Sequence, residues 1–318
     1  MAAAVGLAEG QPGVRAVLAV LARLEPVSIR RVSRAVEIPV PLVASICGEL
    51  RKHGVVSESR PAQLTAAGRK AFAGGALRLP SLAARSALPP ELAGVVRDMA
   101  KAARLAPSPR LELDQCHCTV ETKVRRVLAL HESDALVGRR VLVLGDDDLT
   151  SLAIRSVVRR FGSPSTLARL TVVDVDRELV AFLRRELRGA PFRFCSLVHD
   201  LRDPLPPALR GTYDTVVTDP PYTVAGAELF LSRAAEALAD SGDVFFSFGS
   251  RRPGVAFHVQ RAISEIGFAI RGLTRDFNRY VGAGVLGGTS HLYHLTAAGP
   301  LRPCVPGAFE ASLYTADC

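Results

Sequence analysis

Asp-Pro-Pro-Tyr at residues 219–222 directly follows an apolar run, VVT, that reads as the end of a strand. Two consecutive prolines fix φ and remove two backbone donors, so the loop is stiff. The Asp219 carboxylate is then held facing whatever pocket the loop borders. There it can accept a hydrogen bond from an amine about to attack an electrophile. The ring of Tyr222 presents a π face that favours a nitrogen carrying positive charge. The four residues together suit alkylation of an amine nitrogen, with Pro220 in the wall of the site.

A second cluster, GDDDLTS, spans residues 145–151 after another apolar run, VLVL. Turns at this place in nucleotide-binding folds are usually glycine-rich, which lets backbone approach the ligand closely. Here only Gly145 is left, and Asp146, Asp147 and Asp148 follow before Leu149. A helix N-terminus accounts for one aspartate as a cap, not for three. Adjacent like charges are costly unless a cation offsets them, so the site is expected to receive a cationic ligand. The catalytic candidates are therefore Asp146, Asp147, Asp148, Asp219 and Tyr222; Gly145, Leu149 and Pro220 are placed with the residues that bind the donor molecule.

Two further acids end apolar runs. Asp174 closes VVD at the position that accepts hydrogen bonds from ribose hydroxyls of an adenosine-containing ligand, and Asp176 beyond it reads as a helix cap. Asp200, in the HD pair, either reads an adenine amino group or is a loop aspartate before DPLPP. Asp174 and Asp200 join the donor-binding candidates.

These residues need a scaffold that gathers strand ends. From residue 120 onward, apolar strands (141–145, 170–176, FRFCSLVHD, 213–219, 243–249) alternate with amphipathic helices. That alternation means a parallel doubly wound sheet, which binds ligands at the carboxyl ends of its strands. The segment FAIRGLTRDFNRYV…SHLYHLT adds two strands. The expected fold is α/β: a class I methyltransferase-like Rossmann fold with a seven-stranded, mostly parallel sheet, preceded by a winged-helix domain. The winged helix is read over 12–73. VRAVLAVLARL has helical spacing, Ser28 caps IRRVSRAV, and Pro41 opens VPLVASICGELRKHG, which ends at Gly54. VVSES and AQLT form a hairpin. A linker with one helix covers 74–114, the Rossmann domain 115–300 and a tail 301–318. The third N-terminal helix carries Arg51, Lys52 and His53 only at its far end, whereas DNA-reading helices place polar side chains early. Packing or dimerisation is the favoured role.

The chain has 318 residues and a net charge of +9. Such an excess favours acidic partners, but the arginines are spread along the chain, so any attraction for a cation must be local to a pocket. No apolar run is long enough to span a bilayer, and the opening MAAAVGLAEG lacks a basic start and long apolar core. A cytoplasmic protein is expected. The six cysteines are scattered, as reduced thiols are. Cys116-His117-Cys118 has no second ligand pair, so no metal is expected.

GDDDL at the first strand, DPPYT at the fourth, the winged-helix N-terminus and DQCHCTVETKVRR before the core together resemble the branched-chain polyamine synthases. These are N(4)-bis(aminopropyl)spermidine synthases of thermophilic archaea and bacteria. The stretch FNRY…GAGVLGGTSHLYHL is similar to theirs too, and the resemblance runs from about 12 to 297. It implies a homodimer that transfers aminopropyl groups from decarboxylated S-adenosylmethionine to the secondary amine of spermidine, releasing methylthioadenosine. The residues agree: three aspartates would repel the carboxylate of ordinary S-adenosylmethionine and attract the bare ammonium of the decarboxylated form. Two other readings stand beside this one. The first is an amino-methyltransferase acting on nucleic acid, because DPPY also serves DNA amino-methyltransferases. The second is a winged-helix regulator whose Rossmann domain senses a nucleotide.

Overall fold

The computed structural model describes residues 10–72, 77, 79–80, 88–163, 166–249, 252–281 and 288–314. The first nine residues, most of 73–87, the GAGVLG run at 282–287 and the last four residues lie outside the described residues, and so do the sequence readings that fall on them. The chain divides into two compact units, Met1–Leu79 with Phe161–Thr166, and Pro80–Arg160 with Leu167–Cys318.

In the first unit, α1 (Gly10–Leu24), α2 (Ile29–Val36) and α3 (Val40–Lys52) enclose a core that includes Val17, Leu21, Val32, Val43, Ile46 and Leu50. Each of these apolar side chains, fully withdrawn from water, contributes roughly 1.5–3 kcal/mol. Ser28 accepts a hydrogen bond from the Arg31 amide and caps α2. After α3, Gly54 takes φ +67°, and antiparallel bridges join Val56 to Leu64 and Val27 to Ala62. A short α4 (Ala66–Ala71), capped by Thr65, follows.

The second unit is a seven-stranded sheet flanked by helices. Its order is β3-β2-β1-β4-β5-β7-β6, with β1 (Arg140–Leu144), β2 (Arg169–Asp174), β3 (Arg193–Val198), β4 (Tyr213–Thr218) and β5 (Leu238–Phe248) parallel. The last two strands, β6 (Phe268–Arg279) and β7 (Thr289–Ala297), pair antiparallel, and β7 inserts between β5 and β6. The central strands are apolar on both faces because helices cover both. These helices are α5 (Ala93–Leu105), α6 (Val120–Glu132), α7 (Thr150–Phe161), α8 (Arg177–Glu186), α9 (Val224–Ala237) and α10 (Pro253–Ile266). The main core gathers Leu142, Leu144, Val216, Phe246 and Phe248 from the strands with Leu229, Leu231 and Ile263 from α9 and α10.

Connections run from β1 outward to β2 and β3, then return across β1 to β4. The strand order therefore reverses between β1 and β4, which opens a crevice at their carboxyl ends. Both aspartate-bearing turns leave the sheet there. Among the described residues, no helix is long and apolar enough to cross a membrane.

Candidate functional site

A cleft opens at this switch point. Its lining includes Gly145 and Asp147 from the turn after β1, Asp174 and Val175 after β2, Asp200 and Leu201 after β3, and Asp219 and Pro221 after β4. Leu113, Asp114 and Gln115 enter from the segment before α6, Phe230 from α9, and Leu313 and Tyr314 from the C-terminal tail. Five carboxylates and no lysine, arginine or histidine stand among these described lining residues. In a chain of net charge +9, acidic side chains are thus gathered in one place.

The three aspartates read as one cluster are sent in three directions. Leu149 adopts φ +56° and is buried in the core, which tightens the turn. Asp146 is 0 % exposed and accepts from the Ser151 amide in the first turn of α7. Burial pushes its carboxyl up to about 7. Asp147 faces the cleft, and its Oδ2 accepts from the Cys116 amide at 3.0 Å. Burial, with the carboxylates of Asp148, Asp219 and Asp174 nearby, holds its pKa well above the usual range. Asp148 turns inward: Oδ1 accepts from the Cys118 amide (2.6 Å) and Oδ2 from Arg126 Nη1 (2.6 Å). Burial acts to raise the Asp148 pKa, but Arg126 and Lys123 outweigh it and hold the group below its ordinary value. Of the residues expected at the site, Asp146, Asp148, Leu149, Pro220 and Tyr222 are not among those that line this cleft, and Tyr222 meets it through its hydrogen bond to Asp219. The Cys116-His117-Cys118 stretch supplies backbone amides to two of the aspartates. No group of three or more His, Cys, Asp or Glu able to hold a metal occurs among the described residues.

Asp219 lies at the centre of a polar network. Tyr222 Oη donates to Oδ1 (3.0 Å), while Tyr280 Oη (2.6 Å) and Arg126 Nη2 (2.7 Å) donate to Oδ2. The two phenols are 2.7 Å apart, and Tyr280 also meets Ser290 Oγ at 3.0 Å. Burial raises the Asp219 pKa to about 7 against the opposing pull of Arg126. Tyr222 packs its ring on Phe248, with centroids 5.3 Å apart. Gly226 lets α9 begin beneath the DPPY loop, since a Cβ there would run into the Pro221 carbonyl oxygen.

The walls are equally determined. Asp174 accepts from the Asp146 amide (2.9 Å) and the Asp176 amide (2.8 Å), which fixes its carboxylate at the end of β2. Asp176 caps α8 through Glu178 and Leu179, as its position after the strand suggests. Asp200 lines the cleft, but Arg202 grips both of its oxygens through Nε and Nη2. The tail is tied down by Arg233, 0 % exposed, whose guanidinium donates to the Val305 and Gly307 carbonyls. Thr223 Oγ1 then holds the Leu313 carbonyl at 3.1 Å. Burial raises the Tyr314 phenol to about 12, with Asp200 adding to the effect.

Arg126, Tyr280, Asp114, Gln115 and Tyr314 were not singled out from sequence. Arg126 and Tyr280 lie within VETKVRR and FNRY, stretches noted only for their resemblance. The usable signal is that Lys123 and Arg126 stand one turn apart on the side of α6 that is buried with Val127 and Leu130.

A family model described as the branched-chain polyamine synthase A C-terminal domain matches residues 94–297. An uncharacterized protein of Methanocaldococcus jannaschii is 30% identical over 303 residues, covering 91% of this chain and 74% of that protein. The N(4)-bis(aminopropyl)spermidine synthase of the same organism is 29% identical over 260 residues, 78% of this chain and 72% of its own. That of Thermococcus kodakarensis is 34% identical over 184 residues, 56% and 50% of the respective chains. The crystal structure of the branched-chain polyamine synthase from Thermus thermophilus, in complex with N4-aminopropylspermidine and 5'-methylthioadenosine, has the same fold. Its TM-score is 0.63 at 23% identity, covering 100% of this chain and 95% of that one. The matched family segment takes in both aspartate turns and every strand of the sheet, and on that ground the chain belongs to the branched-chain polyamine synthase family of enzymes.

Proposed function

We propose that the protein transfers aminopropyl groups from decarboxylated S-adenosylmethionine to the secondary amine of spermidine, giving branched polyamines and methylthioadenosine. The observation that carries this reading is that every charged side chain among the described residues lining the cleft is an aspartate. The decarboxylated donor has a sulfonium and an ammonium and no anionic group beside them. Ordinary S-adenosylmethionine would bring a carboxylate towards Asp147. At contact distance two unit charges near a protein surface interact by about 4 kcal/mol at an effective dielectric of 20, enough to select one donor over the other.

In this reading Asp174 receives the ribose hydroxyls and Gly145 allows close approach of the donor. Asp200 borders the adenine side, with its charge already engaged by Arg202. Asp147 faces the donor's ammonium. The acceptor nitrogen docks at Asp219 beside Tyr222. Its lone pair forms a bond to the propyl carbon while the C–S bond breaks, and the electron pair of that bond goes to sulfur. The charge on sulfur is lost and a neutral thioether leaves. In the first transfer the N–H proton passes to Asp219 and on to solvent; a carboxyl poised near 7 takes a proton better than one near 4. A second transfer, onto the tertiary amine, leaves a quaternary cation and needs no proton acceptor. It needs charge stabilisation from Asp219 and the Tyr222 ring. Holding nitrogen, carbon and sulfur in line supplies much of the rate.

The N-terminal unit is, in the same proposal, a winged helix that packs instead of reading DNA. The first half of α3 exposes Val40, Pro41, Ala44 and Ser45, and its basic residues come last. A cytoplasmic homodimer completes the reading. The test is incubation of the purified protein with spermidine and the decarboxylated donor, followed by mass spectrometry. Masses raised by one and two aminopropyl groups are expected, and Asp219→Ala should abolish them while the circular dichroism spectrum stays unchanged. Methylated DNA from ordinary S-adenosylmethionine, with no branched product, would replace this reading with a nucleic-acid methyltransferase.

A further inference from the structure

A pocket built to hold polyamines faces opposing demands. Carboxylates draw in ammonium groups, yet the nitrogen that attacks must carry a free lone pair. Alkyl amines keep their proton until about pH 10 in water, and a carboxylate beside them strengthens that hold. A purely acidic site would bind the acceptor firmly in the one form that cannot react.

The structure carries a counterweight behind the reacting carboxylate. Arg126 is 3 % exposed, and its guanidinium reaches three elements. Nη1 donates to Asp148 Oδ2 at 2.6 Å, Nη2 to Asp219 Oδ2 at 2.7 Å, and Nε to Asn278 Oδ1 at 2.9 Å. Asn278 is itself fixed, donating to Ser290 Oγ at 2.9 Å. Lys123, one turn earlier on α6, spends its ammonium on the Asp148 carbonyl oxygen at 2.8 Å. The ionisable groups around this point are Lys123 and Arg126 from α6, Cys116, His117 and Cys118 before it, and Asp147 and Asp148 after β1. Asp174 after β2, Tyr222 after β4 and Tyr280 after β6 complete the set. Only the two α6 side chains are standing cations there, since burial and Lys123 lower the pKa of His117. Asp148 is met by both of them and by the Cys118 amide, so the charge of Arg126 is shared between Asp148 and the single carboxylate at the reaction point. A structural ion pair at this depth would need one partner. Arg126 has two, and one of them borders the cleft.

We propose that Arg126 is a positioning residue that sets the charge state of the acceptor amine: its buried guanidinium, bonded to Asp219, keeps the docked nitrogen neutral and ready to attack. The proposal rests on the aminopropyl-transfer reading above. The same field favours departure of the cationic product. Arg126 touches neither substrate; it acts through Asp219.

The test is the pH dependence of kcat in the full-length protein with decarboxylated S-adenosylmethionine and spermidine. In Arg126→Gln the acid limb should move up by about one to two pH units, with kcat recovering towards the wild-type plateau at alkaline pH. Arg126→Lys retains the charge and should keep the limb within about half a unit of wild type. Asn278→Asp leaves Arg126 in place but sets a new carboxylate against Nε, and should move the limb upward as well. Arg126→Gln lowering kcat by one factor at every pH would overturn the proposal, and so would equal shifts in the Lys and Gln variants. Should Arg126→Gln fail to fold, an unmoved limb in Asn278→Asp overturns it alone. Absence of branched product from the wild-type protein would instead remove the underlying function and this inference together.

Discussion

Asp147→Asn isolates the electrostatic core of the proposed donor selection. Of the three consecutive aspartates, Asp147 alone lines the cleft. Its Oδ2 accepts from the Cys116 amide at 3.0 Å, a bond the asparagine oxygen can keep, so shape is conserved and charge is removed. A unit charge pair at 4 Å is worth about 1 kcal/mol in water and about 4 kcal/mol at an effective dielectric of 20. Asp147 is partly exposed, so a value between them, about 2 kcal/mol, is appropriate. That corresponds to a roughly 30-fold loss in kcat/KM for the decarboxylated donor. Ordinary S-adenosylmethionine, relieved of repulsion, should inhibit the variant more strongly than it inhibits the wild type. Because burial and neighbouring carboxylates already oppose ionisation of Asp147, melting temperature should hold or rise. Steady-state kinetics with the decarboxylated donor, with ordinary S-adenosylmethionine as competitor, reads both effects. A change below about threefold in kcat/KM with an unaltered inhibition constant would refute the reasoning.

The neighbouring substitution should behave oppositely. Asp148→Asn leaves Arg126 and Lys123 facing one carboxylate fewer in the interior, and breaking a buried pair from one side costs about 3–5 kcal/mol. Denaturant unfolding should show that loss, and stability equal to wild type would argue against a buried structural role for Asp148. Asp146 predicts a pH signature. Its folded pKa of about 7 lies above the ordinary 3.8, so the folded protein retains a proton that the unfolded chain has lost. The contribution of Asp146 to stability therefore falls as pH rises from about 4 to 7 and is level above that. Asp146→Asn should accordingly gain melting temperature relative to wild type across this window. A difference that stays constant with pH would show that Asp146 is not held in its protonated form.

What could be read from sequence follows the parallel sheet. Asp147, Asp174, Asp200 and Asp219 are findable because each lies at or just past the end of an apolar run, and in a doubly wound sheet every such end points to the same rim. The division of labour within GDDD was not readable. It depends on the positive φ of Leu149 and on two buried cations from α6, a helix that precedes the sheet in sequence. Tyr280 was hidden for a related reason. It reaches Asp219 only because β7 inserts between β5 and β6 and brings the end of β6 back over the switch point. The tail contributes a wall, Leu313 and Tyr314, behind segments that Arg233 fixes from inside α9. Such long-range pairings leave no local period to detect.

Side-by-side titration calorimetry of the wild-type protein with the two sulfonium donors is the most direct measurement. A carboxylate-lined cleft predicts that the decarboxylated molecule binds at least about tenfold more tightly, with the gap narrowing as salt is added. Equal affinity, or tighter binding of the molecule that keeps its carboxylate, would contradict the account at its foundation.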